Sequence, residues 1–224
     1  MTHPNQKRWD QRFSAANSAA GGYLFGRNPN SFLAREAHRF ASGGEVLAVA
    51  DGEGRNSVTL AQQGLRVTAF DISPVGLAKA RALETEAQVT AKARAAAAAP
   101  AIDFRLGDIN EWAWTADQFD GVAAIFVQFA TPPERRKMFA GIRLTLRAGG
   151  RLLLVGYTPK QLEYKTGGPS ELDQLYTEAM LRDELAGLTI EHLRVYEETL
   201  DEGAGHSGRS ALIEVVAVKA LSQR

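Results

Sequence analysis

Acidic residues and glycines recur at the ends of short apolar runs in this chain, in an arrangement suited to binding a nucleoside. The run 45–50 precedes two acids and two glycines, Asp51, Gly52, Glu53 and Gly54. A second run ends in Asp71, 17 residues after Gly54, and a third ends in Asp108. Glycines let the backbone approach a ligand closely, and a carboxylate after the second run can accept hydrogen bonds from two ribose hydroxyls. A carboxylate after the third run can meet an adenine amino group.

The charge of the glycine loop indicates which nucleoside fits. Asp51 and Glu53 would repel a pyrophosphate and attract a cation. A nicotinamide fingerprint would place a third glycine near position 57, where the chain has Ser57, and no Gly-Lys-Ser or Gly-Lys-Thr triplet of a phosphate-binding loop occurs. S-adenosylmethionine carries a sulfonium and an ammonium, so it is the predicted cofactor. A nicotinamide oxidoreductase is a weaker alternative.

The elements that position these residues alternate between strand-like and helical patterns from about residue 45 onward, which predicts a parallel sheet covered by helices. Ser73 and Pro74 open a long helix that reaches the alanine tract 95–99, and Pro132 begins another. Ser170 and Asp173 resemble the capping box of a further helix. The predicted strands cover residues 45–50, 65–70, 102–106, 120–127, 151–156, 190–199 and 211–218.

The first 42 residues are predicted to form a helical cap packed on a main domain of residues 43–224. Trp9 and Phe13 share one helical face, and Asn28 with Pro29 forms a cap and first turn of a second helix. The segment has too little apolar surface to fold alone, so it must lie over a sheet edge or over the ligand cleft.

Composition excludes several classes of protein. Cysteine is absent, which excludes disulfides, thiolate zinc sites and cysteine nucleophiles, and no metal site is expected. The 26 basic and 26 acidic residues balance, so no nucleic-acid partner is expected. The longest apolar stretch, 122–130, is far shorter than the ~20 residues of a membrane-spanning helix. With a polar N-terminus, the expected location is the cytoplasm.

The chain resembles the class I S-adenosylmethionine-dependent methyltransferases over roughly residues 43–220. The resemblance rests on the stretch from Glu45 to Asn56, on Val-Thr-Ala-Phe-Asp-Ile-Ser at 67–73 and on Gly-Asp-Ile at 107–109. Gly-Glu-Gly-Arg-Asn at 52–56 is similar to the small bacterial branch of tellurite-resistance and thiopurine-type methyltransferases. The family has Asp and Gly in the first strand where this chain has Ala48 and Ala50.

This resemblance implies a Rossmann-like α/β sheet of seven strands, parallel except for one antiparallel strand near the C-terminus, with helices on both faces. It further implies how the cofactor is held. The methionyl end lies against Gly52, Gly54 and Asn56, the ribose against Asp71, and the adenine against three further residues, Ile72, Asp108 and Ile109. Val127 would also approach the cofactor.

The acceptor site is predicted at the same sheet edge, because ligands of open parallel sheets bind at the carboxyl ends of the strands. In the implied topology the loop 201–210 lies there, with His206 as the first candidate for a general base. Tyr164 is the second candidate. An exposed turn position for His206 and a core position for Tyr157 are the alternatives. The predicted substrate contacts are Tyr23, Gln128, Tyr157 and Arg209.

The predicted function is methyl transfer by in-line displacement to a small-molecule acceptor: a thiol, a metalloid oxyanion or another small metabolite. Alignment and exclusion of water are the main catalytic effects for such a transfer. A protein that binds S-adenosylmethionine without catalysis, as a sensor or assembly partner, is the alternative. The sequence does not indicate an oligomeric state.

Overall fold

The computed structural model describes residues 4–15, 22–93 and 99–221. Seven strands form one sheet: β1 (Glu45–Val49), β2 (Arg66–Asp71), β3 (Asp103–Leu106), β4 (Phe119–Ile125), β5 (Leu146–Tyr157), β6 (Leu188–Asp201) and β7 (Ser207–Lys219). Their order is β3-β2-β1-β4-β5-β7-β6, and only β7 runs antiparallel to its neighbours. The structure confirms the expected α/β sheet with one antiparallel strand near the C-terminus.

Helices cover both faces of the sheet. The described helices are α1 (Pro4–Ala15), α2 (Ser31–Glu36), α3 (Arg55–Gln62), α4 (Pro74–Ala93), α5 (Pro132–Thr145), α6 (Gln161–Tyr164) and α7 (Glu178–Glu184). Successive strand side chains point to opposite faces, so Ala48 joins a core with α2, α3 and α4. Leu47 and Val49 join a second core with α5 and α7. No described helix is long and apolar enough to cross a membrane.

Two helix starts differ from the sequence expectations. The cap of α2 is Asn30, whose side-chain oxygen accepts a hydrogen bond from the Leu33 amide at 3.1 Å, and not Asn28. The predicted helix start at Ser170 and Asp173 is wrong, because only a short 3₁₀ turn forms there. The next helix, α7, begins after Thr177, whose hydroxyl accepts from a backbone amide.

The fifth strand is longer than predicted. It starts directly after α5, at Leu146, because this residue already pairs with Phe119 across an irregularity in the ladder. Gly149, with φ of 80°, lets the strand continue through the irregular stretch. At the other predicted helix end, α4 is described as far as Ala93, and residues 94–98 of the alanine tract lie outside the described residues.

The N-terminal segment lies over the carboxyl ends of the strands. The ring of Phe13 contacts Gly52 and Gly76, where an added Cβ would lie 3.2 and 3.0 Å from it. The Lys79 ammonium of α4 donates to the carbonyl oxygens of Phe13 and Gly22 at 2.5 and 2.6 Å. These contacts place α1 over the ligand cleft. The division at residue 42 stays a prediction.

Candidate functional site

A cleft opens at the carboxyl ends of β1, β2 and β4, beneath α1. The space between its walls measures about 1350 Å³, which includes open solvent. Asp51 and Asp71 line one part, and His206 lines another. Three separate predictions from the sequence therefore meet in one cavity.

The loop after β1 is built from residues with left-handed backbone. Ala50, Gly52 and Gly54 have φ of 48°, 64° and 89°. A non-glycine residue in this region is strained, and Ala50 stands where the family has glycine. Gly52 lines the cleft. Gly54 does not, since it packs against α4, where an added Cβ would lie 2.6 Å from the Ala80 side chain.

Asp51 places a buried carboxylate in the cleft. One of its oxygens accepts a hydrogen bond from the Ser57 hydroxyl. The other oxygen is buried and has no partner among the described residues. Burial raises the pKa of Asp51 to about 7, and the nearby Asp71 adds to the shift. A cationic group in the cleft would relieve this cost, because it stabilises the charged form of the carboxylate.

Asp71, at the end of β2, holds the glycine loop while lining the cleft. One carboxylate oxygen accepts from the Gly52 amide at 2.9 Å and the other from the Ser73 amide at 2.8 Å. Burial raises its pKa to about 6. Each carboxylate oxygen has further lone pairs, so ribose hydroxyls can bind here without displacing the two amides.

The predicted adenine end of the cleft is formed by the loops after β2 and β3. Ile72, Asp108 and Ile109 line it as predicted. The Asp108 carboxylate accepts a hydrogen bond from the Asn110 amide at 2.8 Å, which fixes its direction. Trp112, just beyond, stacks on Phe70 with ring centres 4.0 Å apart and supports this loop from below. Two aliphatic side chains beside a carboxylate suit a purine ring with an exocyclic amine.

The other end of the cleft is aromatic. Six rings line it, and we call them the aromatic chamber: Trp9, Phe25, Phe126, Phe129, Tyr157 and His206. The His206 ring centre lies 4.4 Å from that of Phe25 and 4.2 Å from that of Phe126. Its side chain is 8% exposed, so the exposed-turn alternative is wrong. The turn between β6 and β7 holds it in place, because the Gly205 amide donates to the Leu24 carbonyl at 2.9 Å.

The His206 imidazole is neutral near pH 7. Burial, followed by the charges of Arg55 and Arg12, lowers its pKa well below the usual 6.5. Its Nδ1 atom is buried without a hydrogen-bond partner among the described residues. A neutral imidazole with an uncommitted nitrogen can accept a proton.

Gln128 and Tyr157 line the cleft, as predicted for acceptor contacts, but their polar groups differ in availability. The Gln128 amide donates to the carbonyl oxygens of Tyr157 and Gln174 and accepts from the Tyr157 amide. It therefore ties the ends of β4 and β5 together. The Tyr157 side chain belongs both to the chamber and to a small core with Leu175, Leu200 and Leu212, and burial raises the pKa of its hydroxyl.

Two predicted cofactor contacts have other roles in the structure. Glu53 lies outside the cleft lining. Its carboxylate accepts from the Leu24 amide at 2.7 Å and pairs with Lys79 at 3.0 Å, so it anchors the N-terminal segment. Val127 packs into the core beneath the sheet, and its carbonyl accepts from the Tyr176 hydroxyl. Both residues lie in loops after a strand, where packing sets the direction of each side chain.

Three predicted acceptor residues also lie elsewhere. Tyr164 and Arg209 form a surface cluster around Glu197, with the tyrosine hydroxyl donating at 2.5 Å and the guanidinium at 2.6 Å. Neither lines the cleft. Tyr23 is buried in the core with α4, and its hydroxyl donates to the Lys79 carbonyl at 3.3 Å. The structure therefore corrects three predictions: Tyr164 as a base, and Arg209 and Tyr23 as acceptor contacts.

Residues 46–150 match the protein family described as "Methyltransferase domain". Proteins of Mycobacterium tuberculosis and Mycobacterium bovis are 32% identical over 119 residues, which is 53% of this chain and 39% of theirs. The chain thus spans well under half the length of these relatives. The family match covers the glycine loop, Asp71 and Asp108. By this match the chain contains a methyltransferase domain.

Solved structures share the fold of this chain. A structure described for the conversion of a disulfide bond into a thioacetal group during echinomycin biosynthesis is 18% identical, with a TM-score of 0.70 over 98% of this chain and 94% of that one. TehB from Haemophilus influenzae is 19% identical, with a TM-score of 0.63 over 94% of this chain and 67% of its own. The magnesium protoporphyrin IX methyltransferase of Synechocystis, with bound SAH, is 22% identical, with a TM-score of 0.60 over 85% and 79%.

The residues of the methyltransferase cleft fit S-adenosylmethionine. The unpartnered oxygen of Asp51 provides a negative charge for its cationic groups, and Asp71 and Asp108 lie at neighbouring strand ends. Asn56 also lines the cleft, but its side-chain oxygen accepts from the Asn30 amide at 3.0 Å. Its side chain therefore ties α3 to the segment before α2 as well as bordering the predicted methionyl site.

One feature of the methyltransferase site was missed by reading the sequence. Arg55, at the start of α3, lines the cleft and pairs with Glu202 at 2.7 Å. The two side chains are 6% and 10% exposed. Glu202 also accepts from the Asn30 side chain at 3.0 Å and from the Ser31 amide at 3.1 Å. The pair joins three distant parts of the chain, and no local pattern signals it.

Proposed function

We propose that this chain transfers the methyl group of S-adenosylmethionine to a sulfur or oxygen atom of a small organic acceptor held in the aromatic chamber. The observation that carries the proposal is the placement of His206. Its neutral, buried imidazole lines the same cleft as Asp51, Asp71 and Asp108. A proton acceptor and a nucleoside site thus share one cavity.

S-adenosylmethionine, when bound, supplies an electrophilic methyl group on a cationic sulfur. The chain's own residues perform the remaining tasks. Asp71 and Asp108 hold the nucleoside, and the Asp51 carboxylate attracts the positive charges. The aromatic chamber excludes water from the reaction and aligns the acceptor, which is the main catalytic effect in a displacement of this kind. His206 takes the proton of the acceptor, because a thiol or hydroxyl attacks efficiently only as it loses that proton.

The chamber favours an organic acceptor over a metalloid oxyanion. Phe25, Phe126 and Phe129 present apolar surface, which gives binding energy to a carbon skeleton. A small oxyanion has no apolar surface to bury against these rings, so it gains none of this energy. The likeness to TehB supports the fold alone. An assay of S-adenosylhomocysteine formation with thiophenol, phenol and tellurite tests the choice, and turnover of tellurite alone would contradict it.

His206→Gln is expected to lower kcat/KM for a thiol acceptor about 100-fold at pH 6.5, because glutamine cannot accept the proton and general-base catalysis contributes roughly 10²–10⁴-fold. In the wild type the lowered pKa of His206 keeps the imidazole neutral, so its contribution persists from pH 9 down to below pH 6.5. In the variant, the rate should rise with pH as the thiol ionises by itself. Steady-state rates between pH 6 and 9 measure both effects.

His38→Gln serves as the control, because His38 is exposed and bonds only to the Arg35 carbonyl among the described residues. Its pH profile should match that of the wild type. Rates for the His206 variant within twofold of the wild type over the whole range would refute proton transfer to His206.

A further inference from the structure

Two arginines of α1 border the cleft, and neither forms an ion pair with a carboxylate among the residues that the structure describes. Arg8 and Arg12 lie one helical turn apart, and both line the cavity. The Arg12 guanidinium carbon lies 4.5 Å from the ring centre of Trp9 and 5.9 Å from that of Phe25. Within residues 4–15, 22–93 and 99–221, Arg12 forms no ion pair with a carboxylate. Its positive charge therefore lies against aromatic rings.

This arrangement is unfavourable in the absence of a ligand. Burial lowers the pKa of Arg12, and the neighbouring charge of Arg8 lowers it further. Arg55, a third arginine of the cleft lining, is already neutralised by Glu202 at 2.7 Å. Arg12 is thus a half-buried cation with a like charge beside it. A ligand that supplied an anion would remove the cost and gain a strong charge-assisted hydrogen bond.

The position of Arg12 indicates whether it lies nearer to the cofactor or to the methyl acceptor. Arg12 contributes to the lowered pKa of His206 and lies over Phe25, whose ring is 4.4 Å from His206. The next residue, Phe13, covers Gly52 at the cofactor loop. Arg12 therefore acts at the boundary between cofactor and acceptor, on the side of the aromatic chamber.

We propose that Arg12 binds a carboxylate of the methyl acceptor, whose apolar body lies in the aromatic chamber. The inference rests on the proposed methyl transfer and adds a substrate class: small apolar acids with a thiol or hydroxyl. The guanidinium fork can bind both oxygens of a carboxylate, and this contact orients the reacting atom toward His206. The other available carboxylate belongs to the methionine end of the cofactor, and the experiment separates the two.

The test compares two unreactive probes, 3-phenylpropanoate and 3-phenylpropanamide, titrated into protein saturated with S-adenosylhomocysteine and followed by ligand-observed NMR. The wild type should bind the acid at least about tenfold more tightly than the amide, since a charge-assisted pair adds roughly 1.4 kcal/mol or more. Arg12→Gln should remove this preference and leave amide affinity within twofold. Arg12→Lys should keep part of it. Arg136→Gln, the same charge change at an exposed position of α5, should keep all of it.

The outcomes separate the inference from the proposed function. Equal binding of acid and amide by the wild type, or a preference that survives Arg12→Gln, would overturn the inference. A tenfold loss of S-adenosylhomocysteine affinity in Arg12→Gln would assign Arg12 to the cofactor carboxylate and also overturn it. Acid preference without turnover of any thiol or hydroxyl acceptor would support the anion site and count against the proposed chemistry alone.

Discussion

Arg55→Met is expected to lower the free energy of unfolding by about 3–5 kcal/mol, the usual effect of removing one partner from a buried ion pair. Methionine keeps much of the side-chain volume but leaves the Glu202 carboxylate, 10% exposed, without its cation. Glu202 would retain its bonds to Asn30 and Ser31, which hold it in the buried position. Urea unfolding followed by circular dichroism measures the loss.

Two further variants make this prediction specific. The double variant Arg55→Met, Glu202→Gln should recover part of the stability, because no uncompensated charge is then buried. Arg182→Met breaks a pair with Glu178 in which both side chains are about half exposed, and such a pair contributes at most ~0.5 kcal/mol. Equal losses of unfolding free energy in Arg55→Met and Arg182→Met would show that the buried pair does not stabilise the contact between α3 and the turn that joins β6 to β7.

Asp51→Asn is expected to separate stability from cofactor binding. S-adenosylmethionine should bind about 10–100-fold more weakly, since the variant lacks the negative charge that meets its cationic groups. The free protein should become more stable by about 4 kcal/mol at pH 8, because ionising a buried carboxylate costs about 1.4 kcal/mol per unit of pKa shift and the pKa of Asp51 is raised from 3.8 to about 7. Calorimetry measures the first effect and urea unfolding the second.

The raised pKa of Asp51 determines how its effect on the free energy of unfolding changes with pH. Its pKa of about 7 in the folded protein is above the usual 3.8. The folded state therefore binds the proton more tightly, and this stabilisation is lost as pH rises through 7. The advantage of Asp51→Asn should thus be small below about pH 4, grow between pH 4 and pH 7, and be full at pH 8. Asp103→Asn, at an exposed position paired with Arg105, should show neither effect. A pH-independent difference would contradict the assignment of a perturbed carboxylate.

The nucleoside half of the site could be predicted because its signals are local. Asp71 ends β2, and Asp51, Gly52 and Asp108 lie within three residues after a strand end. Parallel strands bring their carboxyl ends to one edge. The order of the strands then places the residues together. The predicted cofactor contacts that do not line the cleft are Glu53, Gly54 and Val127. They lie in the loops after β1 and β4, where the direction of each residue is set by its packing and not by strand alternation.

The acceptor half could be predicted only in part, because long-range packing forms it. His206 was placed at the correct edge, since the turn between β6 and β7 returns there. Arg209, three residues on, lies on the surface because it is on β7, where it pairs with Thr199 of β6. The partner of Arg55 is 147 residues away, and no spacing rule connects them. The aromatic chamber likewise combines α1, the following segment and three strand ends.

The most direct test of the account is a calorimetric titration of the wild-type protein with S-adenosylmethionine, S-adenosylhomocysteine and NADH. The account predicts that the first two bind at one site per chain with micromolar dissociation constants, equivalent to about −7 to −8 kcal/mol, and that NADH does not bind. Binding of NADH, or of none of the three, would contradict the assignment of the acidic glycine loop and its cleft to S-adenosylmethionine.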